Sequence, residues 1–279
     1  MTQKNSDSTL HQFDISIGRK LTRIDSAPPD LYDPNQPRLG RRESEPHSAE
    51  VTYLYDVLTT NFPSDKTLWD LHHYFIGKKG ALKGQKIDLQ FDVSFFKNMD
   101  IPYSISSYDA SKYEGRVPDM VINVLSKSTW KNDLSENIDI CKDLSISNYI
   151  VFSPYKVTSE IYAPPFLRAF ILKDDGSYEQ HDLRNVTLKE GEQIEEKKNI
   201  IDVSDKLPFR LGLMQLKRQY EREKPLFRII VIDPSEPRIL PTRWEKEKEE
   251  AEKKASEAEK KIKELEKNIQ KYQEKFGKL

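Results

Sequence analysis

One stretch of the chain, residues 117–152, constrains the fold more than any other. Residues 117–125 (VPDMVINVL) form a nearly continuous apolar run, which is typical of a strand buried on both faces. A helical pattern follows at residues 130–144, and a second short apolar run (NYIVF) lies at residues 148–152. Three side chains of this helix are predicted to face inward: Leu134, Ile138 and Cys141. A strand, a helix and a strand of these lengths predict a βαβ crossover at the centre of a mixed sheet.

The residues on either side of this unit predict the rest of an α/β domain. An amphipathic helix is expected at residues 47–61. Its inner side would be formed by Ala49, Tyr53, Leu54, Val57, Leu58 and Thr60. Further strand patterns lie at residues 67–76, 87–96, 166–172, 178–183, 200–203, 210–213 and 226–232. The turn residues DDGS at 174–177 predict a hairpin. We therefore expect an α/β (α+β) fold in which helices flank a mixed sheet.

Three segments of different composition predict the domain boundaries. Residues 1–43 are polar, with many Asp, Pro, Ser and Arg residues, and predict an extended arm. Residues 44–242 carry the strand and helix patterns and predict one folded domain. Residues 243–279 are almost entirely charged and predict a C-terminal helix.

Apolar residues in this C-terminal segment recur at alternating intervals of four and three. They occupy positions 251, 255, 258, 262, 265, 269, 272, 276 and 279. This heptad spacing predicts a coiled coil, formed by self-association or with a partner helix through residues 251–279. The alternative is a single solvated helix stabilised by Glu–Lys pairs four residues apart. Because alanine occupies three of the first four core positions, we expect a modest association.

The overall charge and the cysteine content exclude several classes of protein. A formal net charge of −1 gives no global positive field to attract nucleic acid or an anionic membrane. The single cysteine, Cys141, excludes an intramolecular disulfide and Cys-rich zinc sites. No apolar run approaches the roughly 18 residues of a membrane span, and the first residues lack the apolar centre of a secretory signal. We expect a cytoplasmic protein without membrane contact, in which any DNA contact would need a local basic surface.

Several short motifs occur together around the central unit. Residues 118–154 contain Pro-Asp before the first apolar run, SKST after it, and Asp133 in the helix. Matching pieces elsewhere are His47 at the first helix, Asp92 in FDVSFF, PPFLR at 164–168 followed by DGSYE, and Leu-Gly-Leu at 211–213. Over about residues 45–240, this combination resembles the Uma-type restriction endonuclease family, a branch of the PD-(D/E)XK nuclease superfamily. The resemblance implies a restriction-endonuclease-like core with a Mg²⁺ site for phosphodiester hydrolysis.

The residues that this resemblance assigns to catalysis are only partly present. In the family, an Asp and a Glu on neighbouring strands hold the metal ion, and a Lys on the following helix orients the attacking water. The Asp position corresponds to Asp92, the candidate metal ligand. The Glu position holds Asn123, and the Lys position holds Asn137, four residues after Asp133. A family Tyr on the same helix corresponds to Cys141. Two of the three functional groups have therefore lost their charge.

These replacements predict a weak or absent Mg²⁺ site and impaired catalysis. An amide offers a metal ion an oxygen without the charge of a carboxylate, and losing a cation that faces the transition state commonly costs about 10²–10³ in rate. The leading hypothesis is a degenerate nuclease that acts in binding, regulation or assembly, with DNA as one candidate partner. Two alternatives stay open. One is an active Mg²⁺-dependent DNA endonuclease with a relocated acid, Asp133 or Glu136, and a relocated lysine. The other is a protein-only coiled-coil module.

Other polar residues near these motifs are predicted to be structural. Asp119 would lie about 13 Å along the strand from Asn123, too far to share one metal ion. His72 and His73 are neighbours on a strand, so their side chains should point to opposite faces. His47 is predicted to be a helix cap or a surface residue, with a position beside the site as the alternative.

Overall fold

The predicted strand, helix and strand form the middle of a seven-stranded mixed sheet in the computed structural model. The structure describes residues 44–102, 105–127, 129–157, 160–194, 199–203, 207–217 and 224–277. The predicted arm, residues 1–43, lies outside the described residues. The sheet contains β1 (Lys66–Ile76), β2 (Lys86–Phe96), β3 (Tyr108–Asp109), β4 (Met120–Val124), β5 (Asn148–Ser153), β6 (Phe166–Leu172) and β7 (Tyr178–Leu183).

The order of the strands in this sheet is β3-β1-β2-β4-β5-β6-β7. β4 and β5 are parallel, whereas β2 and β4 are antiparallel, as are β5 and β6. Two parallel neighbours need a crossover connection, which here contains α2 (Trp130–Asp133) and α3 (Glu136–Leu144). The predicted βαβ unit and the mixed α/β class are therefore confirmed.

The crossover is not the single helix that its sequence predicted. The helix is interrupted at residues 134–135, where Ser135 has φ −142° and ψ −92°. The Ser135 hydroxyl donates a 2.6 Å hydrogen bond to the carbonyl of Lys131, a local bond that competes with helical hydrogen bonding. Of the residues predicted to face inward, Cys141 is buried, and Leu134 and Ile138 are half-buried against the same core. Asn137 is also buried, which the apolar pattern did not predict.

A second, smaller sheet contains β8 (Leu188–Lys189), β9 (Ile200–Ile201), β10 (Arg210–Gln215) and β11 (Phe227–Ile232). β10 is its centre and pairs with β11, β9 and β8. The Leu-Gly-Leu motif lies in β10. A Cβ atom on Gly212 would be only 2.6 Å from the hydroxyl oxygen of Thr187, so this close approach requires a glycine.

Both faces of the large sheet are covered. On one face, β2, β4 and β5 pack against the first helix, α1 (Glu45–Asn61), and against apolar residues of the small sheet. On the other face, Ile140, Cys141 and Leu144 of α3 pack against apolar residues of the same strands. Burial on both faces explains the nearly continuous apolar run of β4.

The buried side of α1 differs from the predicted one. Its buried residues are His47, Glu50, Val51, Leu54, Val57 and Leu58. Leu54, Val57 and Leu58 agree with the prediction, but Ala49 is exposed. In the first half of the helix, the buried residues lie one position away from those predicted. They include the polar side chains of His47 and Glu50, which an apolar pattern omits.

The C-terminal segment is one continuous helix, α4 (Arg243–Phe276), of 34 residues. A capping box begins it, in which Thr242 and Glu245 exchange side-chain and backbone hydrogen bonds. This helix belongs to a unit that starts at Pro241, separate from the unit that ends at Leu240. None of the described helices combines the length and the apolar character that a membrane span requires.

Candidate active site

Asp92 lies where the backbone pairing of β2 is interrupted on both sides. The β1–β2 ladder is continuous except at one position, where Asp70 would face Asp92, and Asp70 has a positive φ of 48°. On its other side, β2 pairs with β4 only as far as Val93 and Ile122. Beyond that pair, the Oδ2 atom of Asp92 accepts a 2.7 Å hydrogen bond from the backbone N–H of Val124. The Asp92 carboxylate therefore replaces the strand carbonyl that this N–H would otherwise need.

His47 is the second group at the Asp92 carboxylate. Its Nε2 atom is 3.4 Å from Asp92 Oδ2, and its side chain is 4% exposed. It is neither a cap nor a surface residue, so that prediction was wrong. The first turn of α1 faces the sheet, and the imidazole is therefore placed against the end of the β2–β4 pairing.

Glu50 lies one turn after His47 on the same buried side of α1. Its Oε1 atom accepts a 2.6 Å hydrogen bond from the backbone N–H of Ile229, and its Oε2 atom is 3.4 Å from Arg228 Nε. Burial raises the pKa of the Glu50 carboxyl to about 8, although Arg228, the Ile229 N–H and His47 each favour its charged form. Glu50 was not predicted from the sequence, yet its position three residues after His47 was a usable signal.

Asn123 and Asn137, the positions that the family resemblance assigned to the Glu and the Lys, meet at a single carboxylate. The Nδ2 atom of Asn123 donates a 3.0 Å hydrogen bond to Oδ1 of Asp133. The Nδ2 atom of Asn137 donates a 2.9 Å hydrogen bond to the same oxygen. All three residues are buried, with 3%, 6% and 2% exposure for Asn123, Asn137 and Asp133. The two asparagines thus stabilise a buried acid, and we call these three residues the Asp133 cluster.

Tyr149 closes this cluster from β5. Its hydroxyl donates a 2.8 Å hydrogen bond to the backbone carbonyl of Asp133 and accepts a 3.3 Å hydrogen bond from Asn123 Nδ2. Burial raises the pKa of the nearby Cys141 thiol well above its usual range, and the charge of Asp133 adds to this effect. Sequence reasoning missed the role of Tyr149, because β5 contributes it from 16 residues downstream of Asp133.

The side chains at Asp92 and in the Asp133 cluster can be compared with the donor set of a divalent metal site. Among the described residues, no group of three His, Cys, Asp or Glu side chains is placed to hold a metal ion. The Asp92 carboxylate already accepts a backbone hydrogen bond, and the Asp133 carboxylate already accepts two amide hydrogen bonds. Asn123 Oδ1 is buried and has no hydrogen-bond partner within the described part of the chain, but one neutral oxygen does not replace a carboxylate. The residues present therefore do not fit the Mg²⁺ ion that the family resemblance implies.

Other candidate substitutes are engaged or exposed. Glu136 is exposed at the start of α3. Lys142 pairs with Asp139 at 2.8 Å on the exposed side of the helix. The Oδ2 atom of Asp119 accepts a 2.8 Å hydrogen bond from the backbone N–H of Lys97, which is a structural role. None of these contacts supplies the missing acid or the missing cation.

Comparison with known proteins gives limited similarity. No family model matches the chain, and no curated protein matches it. A crystal structure of a DUF820 protein from Anabaena variabilis ATCC 29413, described as a candidate nuclease, matches with 14% identity and a TM-score of 0.37. The match covers 52% of this chain and 70% of that chain. At this level of similarity, function is inferred from the residues of the chain itself.

Proposed function

We propose that this chain is a nuclease-fold protein whose metal site has been closed, and that it acts by binding and assembly without hydrolysing phosphodiesters. The observation that carries the proposal is the Asp133 cluster, in which Asn123 and Asn137 donate to the same buried carboxylate oxygen. The motifs at Asp92, SKST and Leu-Gly-Leu support the relationship to the nuclease family.

A hydrolytic site of this class needs two carboxylates facing a metal ion and a cation facing the phosphate. At the positions that would supply the second carboxylate and the cation, Asn123 and Asn137 are neutral and directed at Asp133. Turning either amide toward a substrate would break its hydrogen bond to Asp133, and leaving a buried polar group without its partner costs about 1–3 kcal/mol. The closed arrangement is therefore stable against the rearrangement that catalysis would require.

The alternative of an active nuclease with a relocated acid has weaker support. Asp133 is the best-placed substitute, but it is buried and one of its oxygens is shared by two asparagines. Glu136 is exposed, whereas the next residue, Asn137, is buried. Neither acid has a lysine in the Asp133 cluster to complete the site.

Plasmid cleavage by the purified protein with Mg²⁺ or Mn²⁺ tests the proposal. We expect no nicking by the native protein above the level of an Asp92→Asn variant purified in parallel. Asp92→Asn is the matched control because its amide oxygen can still accept the Val124 hydrogen bond, whereas its charge is lost. Native cleavage that is abolished by Asp92→Asn would overturn the proposal and establish a relocated active site.

The double variant Asn123→Glu/Asn137→Lys tests whether the fold supports hydrolysis when the acid and the lysine are restored. Asn123→Glu alone would place a second carboxylate beside Asp133, so Asn137→Lys is needed to balance its charge. We expect the double variant to nick plasmid at a rate at least about 10²-fold above the background seen with the native protein, in line with the contribution of one transition-state contact. Adding Asp92→Asn to the double variant should remove that activity.

The nature of the binding partner can be tested independently. Fluorescence anisotropy with labelled duplex DNA at increasing salt separates a DNA partner from a protein partner. DNA binding through phosphate contacts weakens steeply as salt increases, whereas absence of binding at low salt would favour protein-only assembly.

A further inference from the structure

The C-terminal helix α4 presents an exposed apolar stripe among the residues that the structure describes. None of its described residues is buried. Its large apolar side chains are between 52% and 71% exposed from residue 262 onward, namely Ile262, Leu265, Ile269, Tyr272 and Phe276. A helix that is surrounded by water is not stabilised by exposing five large apolar residues in one stripe. This stripe is therefore a candidate contact surface.

The residues on the stripe favour two helices rather than three or four. With Ala255, Ile262, Ile269 and Phe276 as heptad positions a, positions d are Ala251, Ala258, Leu265 and Tyr272. β-Branched isoleucine at a with leucine at d favours a parallel two-stranded coiled coil. The two isoleucines and Leu265 give this combination in the middle of the apolar part of the helix.

The charges beside the stripe are separated by sign. Positions e hold Glu252, Glu259, Glu266 and Gln273. Positions g hold Lys254, Lys261, Asn268 and Lys275. Every charged e residue is therefore acidic, and every charged g residue is basic.

This separation of acidic and basic positions distinguishes a parallel from an antiparallel pair of identical helices. In a parallel pair in register, each g residue faces the e residue of the next heptad in the second copy. Lys254 then faces Glu259, Lys261 faces Glu266, and the neutral Asn268 faces Gln273, twice each by symmetry. In an antiparallel pair, g faces g and e faces e, so lysine would face lysine and glutamate would face glutamate. Attraction in one orientation and repulsion in the other select the parallel one.

We propose that α4 pairs with the same helix of a second copy of this chain, as a parallel, in-register, two-stranded coiled coil. The inference rests on the sequence and exposure of the tail alone, so it holds whichever activity the folded domain has. Ile262, Leu265 and Ile269 carry the contact, while the alanines at 251, 255 and 258 contribute little apolar area. The dimer therefore dissociates upon dilution.

Sedimentation of the full-length protein over a range of concentrations tests the number of copies. We expect a monomer–dimer equilibrium for the native chain and a monomer for Leu265→Glu. The double variant Glu259→Lys/Glu266→Lys places lysine against lysine and should weaken the dimer at least tenfold at low salt. Lys260→Glu/Lys267→Glu is the matched control, since position f faces away from the partner, and it should leave the dimer intact. A monomer at every concentration, or a trimer or tetramer, would overturn the proposal.

Disulfide crosslinking of the full-length chain tests the orientation. The native Cys141 is buried, so it does not compete for oxidation. In a parallel dimer Phe276→Cys should crosslink to itself upon mild oxidation, whereas Glu274→Cys at the outward position f should not. An antiparallel pair centred on residues 262 and 265 would instead set residue 276 against residue 251. Crosslinking only in a mixture of Phe276→Cys and Ala251→Cys would refute the parallel arrangement.

Discussion

The buried carboxyl of Glu50 makes a quantitative prediction about the pH dependence of stability. In the folded chain its pKa is raised to about 8 from the ordinary value of 4.5, chiefly by burial. The folded state therefore holds this proton at pH values where the unfolded chain has released it. Stability falls with rising pH wherever the folded state binds more protons. The contribution of Glu50 is thus complete below about pH 4.5, is lost between 4.5 and 8, and is constant above 8.

The size of this loss follows from the width of the interval. It spans roughly 3.5 pH units, and each unit corresponds to about 1.36 kcal/mol, so the loss is on the order of 5 kcal/mol. Glu50→Gln removes the titration while its amide oxygen still accepts the Ile229 hydrogen bond. The difference in unfolding free energy, native minus Glu50→Gln, should therefore fall by several kcal/mol between pH 5 and pH 8.

Urea denaturation of both proteins at several pH values between 5 and 9 measures this difference. Glu45→Gln is the control, because it makes the same substitution at an exposed position of the same helix. A difference that stays constant, or that rises with pH, would show that Glu50 is ionised in the folded protein and paired with Arg228. The reasoning from burial would then be wrong.

Two shorter predictions concern the neighbouring groups. Asp133→Ala leaves the amide donors of Asn123 and Asn137 without their acceptor, which costs about 1–3 kcal/mol for each donor. Urea denaturation should therefore show Asp133→Ala to be less stable than Asp133→Asn, which keeps an acceptor oxygen. Equal stability of the two variants would contradict the geometry of the Asp133 cluster. The buried Cys141 thiol, with its raised pKa, should react with iodoacetamide at neutral pH at least about tenfold more slowly in the folded protein than in urea. Mass spectrometry follows that reaction, and rapid labelling of the folded protein would argue against burial.

The strands were predictable because their signals are local. The apolar run of β4, the run of β5 and the DDGS turn each lie within a few residues of sequence, and the hairpin strands have the predicted bounds, Phe166–Leu172 and Tyr178–Leu183. The interruption of the crossover helix was not predictable in this way. It depends on the backbone conformation at Ser135, and a serine in a helical pattern is ordinarily tolerated.

The polar contacts were harder to predict, since their partners are distant in the chain. Glu50 is stabilised by a backbone N–H that lies 179 residues away, and no periodicity in α1 reveals such a partner. The contact between Tyr149 and Asp133 was equally hard to predict, because Tyr149 lies on β5 and Asp133 lies in the crossover helix. By contrast, the i,i+4 spacing of Asp133 and Asn137 placed them on one helix face from sequence alone, and they share a hydrogen bond in the structure even though the helix between them is interrupted.

The hydrogen bond from Val124 to Asp92 makes one side chain part of the backbone pairing of the sheet. A residue without a side-chain acceptor at position 92 would leave an unpaired N–H group in the interior. An asparagine keeps this acceptor, whereas an alanine does not. An acceptor at position 92 is therefore a requirement of the fold, and only the charge that distinguishes aspartate from asparagine there, together with the residues at 123 and 137, would report on chemistry.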